Sequence, residues 1–170
     1  MIRQDRFLTF ILIGIFLLVL LSLGVYFTRQ RGLEYGEEVS PSGVVRNYVI
    51  ALLKGDYARA YRYLKEGEFK PTEDQFRQAF LTRQPDLRSV ALQIGKEKVE
   101  KESATVELIL IRNANDPFGN SFTENGTGSL RKDADGKWKI ENLPYPYWNW
   151  DWYNAPLPTP EPLPIPEGQD

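Results

Sequence analysis

Chemistry in this chain has to come from carboxylates, phenols and indoles, because its 170 residues include no histidine and no cysteine. Thiolate catalysis, disulfides and Cys-ligated zinc are excluded. So is a lipoprotein anchor, which needs a modified cysteine. The commonest metal ligand and the commonest general base near neutral pH are absent with the imidazole. An acid–base enzyme would then need a buried carboxylate with a raised pKa. The carboxylates that stand out have simpler roles. Asp56 follows Gly55 at a helix break, where it can cap the next helix. Glu73 and Asp74 fall in the first turn of a helix, where they favour its dipole. Asp133-Ala134-Asp135-Gly136 resembles the start of a calcium loop but lacks the ligand at position five and the glutamate at position twelve, so it reads as a hairpin turn. No catalytic residue, metal ligand or cofactor site is assigned.

The aromatic run YPYWNWDWY, residues 145–153, is the most unusual stretch. Pro144 and Pro146 favour an extended backbone. In that conformation Trp148, Trp150 and Trp152 share one side, and Tyr147 and Tyr153 lie on the other. Three readings compete. The indoles pack on the domain, each large side chain contributing about 1.5–3 kcal/mol on burial. Alternatively, Trp148, Trp150, Trp152, Tyr147 and Tyr153 form a contact surface for an envelope protein or a glycan. In the third reading they meet a lipid interface. The tyrosines Tyr48, Tyr57, Tyr61 and Tyr63 could line a pocket, with helix-face packing as the simpler account.

Residues 7–27, FLTFILIGIFLLVLLSLGVYF, carry no charge. A helix of that length spans about 30 Å, the thickness of a bilayer's hydrocarbon core. The expectation is an uncleaved single-pass anchor through which the chain meets the lipid bilayer. The apolar core is longer than that of a secretory signal. The six-residue stub 1–6 is expected in the cytoplasm, with the remainder outside the cell membrane. Residues 32–170 hold 17 Lys/Arg and 22 Asp/Glu, a net −5, which argues against nucleic acid as a partner.

Residues 28–40 read as a tether. Ser40-Pro41 opens a helix with a good N-cap and proline at its first position. Val44, Val45, Tyr48, Val49, Leu52 and Leu53 give that helix one buried face. Asp56 starts a second helix. Thr72 and Gln75 form a capping box for a third, which Pro85 ends. The period then changes to two. Strands are expected from Val90 to Gly95, from Ala104 to Arg112, from Gly126 to Lys132, weakened by glycine, and from Lys137 to Leu143. Helices followed by a meander give an α+β fold. Six alternating prolines in residues 156–170 predict a polyproline II tail.

The helix pair VVRNYVIALLKGDYARAYRYL and the closing DGKWKI hairpin resemble the nuclear transport factor 2-like, or cystatin-like, superfamily over residues 41–144. The resemblance is to bacterial members of unassigned chemistry. It implies a cone-shaped domain of about three helices on a curved four-stranded antiparallel sheet, with a pocket between them. Enzymatic members place an aspartate inside the cone, and no position here matches one. The expected function is a membrane-anchored, non-catalytic, extracytoplasmic interaction module. The alternatives are a small-molecule-binding or enzymatic cone, and a glycan or membrane-surface binder acting through residues 145–155.

Overall fold

A computed structural model describes residues 6–31, 33–113, 119 and 121–155. The expected tail at 156–170 lies outside them. The first helix, α1, runs Arg6–Arg31. Among the described residues no helix is long and apolar enough to cross a membrane. This corrects two expectations: a membrane-spanning Phe7–Phe27 and a single-pass location in the cell membrane are not supported.

α2 (Pro41–Lys54) begins and ends as its sequence dictates. The Ser40 hydroxyl accepts from the Gly43 N–H, and Gly55 closes the helix at φ 74°, a left-handed turn that glycine adopts without penalty. Its apolar face is buried, with Val45, Tyr48 and Leu52 at 0% exposure. α3 (Tyr57–Arg62) is capped by the Asp56 carboxylate, and α4 (Glu73–Leu81) by the reciprocal Thr72–Gln75 box. Pro85 does not end α4. It sits in the first turn of a further short helix, α5 (Gln84–Ser89), where its missing N–H has no intrahelical partner to lose.

The sheet is an antiparallel meander in the order β1 (Val90–Glu100), β2 (Ser103–Arg112), β3 (Phe122–Lys132), β4 (Trp138–Asn142). β1 runs on to Glu100 past an irregularity between Ile94 and Glu97, longer than its apolar alternation suggests. The inner face carries Ala104, Val106, Leu108, Leu110, Leu130, Trp138 and Ile140, all buried in one core with residues of α2, α4 and α5. Residues 63–65 act as a short fifth strand. Ile140 N–H donates to the Tyr63 carbonyl at 2.8 Å, and Lys65 N–H donates to the Ile140 carbonyl at 3.0 Å. Part of the β4 edge is thereby covered.

The glycines of β3 have a packing role. A Cβ on Gly126 would stand 3.0 Å from Pro144 Cγ, and one on Gly128 would stand 2.8 Å from Leu143 Cδ2. The chain leaving β4 therefore folds back across the inner face of β3. That return places the aromatic run inside the domain. Gly128→Val is expected to cost about 1–3 kcal/mol by overpacking, read as a lowered urea midpoint with an unchanged slope.

The segment before α2 is also held down. Buried Asn47 accepts from the Gly36 N–H and donates to the Gly36 carbonyl, both at 2.8 Å. Asn47→Ala would leave both backbone groups short of a partner. A loss of about 1–3 kcal/mol follows, with faster amide exchange at Gly36 as the local reading.

Candidate functional site

The aromatic run is not extended. Residues 144–154 form successive turns, so rings four apart come together where alternate rings were expected to align. Trp148 and Trp152 meet edge to face with centroids 5.1 Å apart. Trp152 stacks on Phe76 at 5.2 Å and meets Phe80 edge-on at 5.7 Å. Tyr147, Trp148 and Trp152 are buried, Tyr153 is half-buried, and Trp150 stands clear at 74% exposure. The five residues expected to share a contact surface are thus divided, with only Trp150 facing solvent.

Hydrogen bonds fasten the segment from several elements. The buried Tyr48 hydroxyl donates to the Tyr147 carbonyl at 2.8 Å, and the Tyr147 hydroxyl donates to the Val90 carbonyl at 3.2 Å. Arg83 donates to the Trp148 carbonyl at 2.7 Å and to the Asn149 side-chain oxygen at 3.1 Å. The Tyr145 hydroxyl bonds the Asp86 carboxylate, and the Tyr153 hydroxyl bonds the Lys65 carbonyl. The chain's own Leu143, Tyr147, Trp148 and Trp152 are buried in the core with the sheet and helices. A shallow apolar groove of about 370 Å³ lies between α2 and β1, walled by Ile50, Leu53 and Leu92, with Tyr147 among its lining residues.

Of the tyrosines expected at a pocket, Tyr63 lines the cleft described below, Tyr48 is buried in the core, and the Tyr61 hydroxyl donates to the Pro71 carbonyl at 2.8 Å. Burial pushes the Tyr48 phenol well above its ordinary value, and pushes Tyr147 up to about 12. Burial likewise raises Tyr153 and Tyr63, the latter helped by its bond to Glu38. A phenol shifted away from neutrality is a poor proton acceptor or donor at pH 7. Asp56 holds the Arg59 N–H and receives the Tyr35 hydroxyl, and the Asp133 carboxylate accepts from the backbone of Asp135 and Lys137. Among the described residues no group of three acidic side chains could hold a metal ion.

A second feature had no sequence signal. Glu38, in the expected tether, accepts from the Tyr63 hydroxyl at 2.6 Å and from Arg59 at 3.0 Å. It lines an open cleft of about 620 Å³ between α3 and the β3–β4 hairpin. Arg59, Arg62, Lys137 and Lys139 bring positive charge to this cleft, and Tyr63 and Trp138 give it aromatic walls. No spacing rule links residue 38 to residue 63 or residue 138. The Tyr63 hydroxyl, followed by Arg59, holds the Glu38 carboxyl below its ordinary 4.5. A carboxyl depressed on folding stabilises above its unfolded pKa and loses that contribution as pH falls through the folded value. Stability should therefore decline as pH drops from about 4.5 downward, and Glu38→Gln should shallow the decline, measured as urea midpoints against pH.

No family model matches the chain, and no curated protein does. Solved structures do show a likeness. A protein described as a ketosteroid isomerase from Shewanella frigidimarina aligns at 23% identity and TM-score 0.46, over 62% of this chain and 94% of that one. One described as an NTF2-like transpeptidase from Campylobacter jejuni aligns at 24% identity and TM-score 0.44, over 59% of this chain and 96% of the other. An NTF2-like protein with a cystatin-like fold from Novosphingobium aromaticivorans aligns at 18% identity and TM-score 0.41, over 68% and 82%. The neighbours are NTF2-like and cystatin-fold proteins. At these scores the likeness identifies neither a ligand nor an activity.

Proposed function

We propose that this domain is a non-catalytic interaction module that meets its partner on its outer surface. On this reading it is a bacterial member of the nuclear transport factor 2-like superfamily without assigned chemistry. One observation carries the reading: Tyr147, Trp148 and Trp152 are buried in the core between sheet and helices, where the family resemblance implies a pocket. The raised phenols and the helix-capping role of Asp56 support it. A glycan contact, the other reading of the aromatic run, would fall to Trp150. Trp150→Ala should then change stability by no more than about 0.5 kcal/mol while removing any saccharide binding.

The reading is tested by titrating the labelled protein with apolar ligands, a steroid and a fatty acid, and following its amide spectrum. Resonances of Leu108 and Leu110 and the indoles of Trp148 and Trp152 should not move. Saturable shifts at those four residues would establish an interior site and overturn the proposal.

A further inference from the structure

The cleft between α3 and the β3–β4 hairpin has three properties that together select a class of ligand. The first is unpaired charge. Glu38 is matched by Arg59, and Lys139 donates to the Arg62 carbonyl at 2.7 Å with Asp133 at 3.8 Å. The Arg62 guanidinium and the Lys137 ammonium have no ion pair or hydrogen bond among the described residues, and both side chains are exposed. A cationic cleft on a chain of net charge −2 attracts anions locally against the sign of the whole.

The second property is a free strand edge. Ile140 turns its backbone N–H and carbonyl away from β3, toward residues 63–65. Lys132, the register partner of Trp138, sends its N–H toward Glu102 on the β2 side. Strand alternation therefore turns the N–H and carbonyl of Trp138 to the same outer edge as those of Ile140. The chain upstream of Tyr63 is already helical, so the fifth strand stops short of Trp138. Outside the strand ladder, no backbone hydrogen bond of Trp138 is seen among the described residues. The third property is an apolar wall of Val39, Val44 and Trp138.

The geometry points to this cleft as the docking site for a short extended acidic peptide. The ligand's backbone pairs with Trp138, its carboxylates meet Arg62 and Lys137, and its alternate side chains lie on the apolar wall. A free phosphate would use the charge but neither the edge nor the wall. The inference rests on the reading of the domain as a surface interaction module, and names the chemistry of its partner.

The test uses the full chain, isotope-labelled, with a blocked five-residue peptide alternating glutamate and valine as the probe. A lysine–valine peptide and inorganic phosphate serve as controls. The acidic peptide should shift the Trp138 amide saturably, and affinity should fall with added salt. Arg62→Glu with Lys137→Glu should weaken it by about tenfold, a size consistent with losing two exposed charge contacts, while Arg62→Lys retains most of it. Both cations are exposed, so a dispersed amide spectrum confirms that the variants fold. Absence of a saturable shift, an equal response to phosphate, or indifference to the charge reversals would each overturn the site. In the same spectra Leu108 and Leu110 report on the interior, so failure of the cleft and failure of the surface-module reading give different patterns.

Discussion

A chain ending at Asn142 should not fold cooperatively. Truncation there removes the buried side chains of Leu143, Tyr147, Trp148 and Trp152. At about 1.5–3 kcal/mol each, the loss is on the order of 6–12 kcal/mol, comparable to the whole stability of a small domain. It also strips the Tyr48 hydroxyl of its acceptor at the centre of the core. The expected product keeps far-UV circular dichroism, loses the near-UV signal and binds a hydrophobic dye. A sharp urea transition in the truncated chain would mean that the helices and sheet close on each other without the segment.

Within the segment, Trp152→Ala should have the largest effect of any single substitution. The indole touches Phe76, Phe80 and Trp148, drawn from α4 and from its own turn. Removing it opens a cavity bounded by rings that cannot collapse without leaving their rotamers. Truncations of this kind cost about 3–5 kcal/mol. The urea midpoint should fall accordingly, and the variant should gain affinity for a small aromatic such as indole. Trp150→Ala, two residues away, should do neither. The contrast separates burial from any general effect of losing a tryptophan.

These effects could not be read from the run itself. Pro144 and Pro146 argue for extension, and extension places Trp148 and Trp152 on one side with Trp150 between them. The turns instead bring residues four apart together and send Trp150 outward. The cue lies in β3, where Gly126 and Gly128 read as weakness in a strand. They leave the room that Leu143 and Pro144 occupy. A glycine pair can mark a weak strand or a close approach, and only the fold says which.

Local chemistry was far more legible. Ser40, Asp56 and Thr72 cap the helices they precede, because their side-chain oxygens satisfy N–H groups a few residues away. The Asp133–Gly136 turn closes the last hairpin, with Gly136 at φ 73°. The same proximity rule misleads at Pro85, a stop signal for α4 that serves equally as a start for α5. Long-range contacts carry no such signature. Asn47 with Gly36, and Glu38 with Tyr63, meet through the path of the chain. The apolar segment at 7–27 suggests a span by its length and lack of charge, yet among the described residues no helix is long and apolar enough to cross a membrane.

Leu143, Tyr147, Trp148 and Trp152 fill the domain's interior, and tryptophan quenching reports on that burial. In a Trp150→Phe chain the remaining emission comes from Trp138, Trp148 and Trp152, each 7% exposed or less. It should be blue-shifted and nearly insensitive to acrylamide, with quenching restored only in denaturant. Red-shifted emission quenched in native buffer as readily as free indole would place the segment in solvent and leave the interior open.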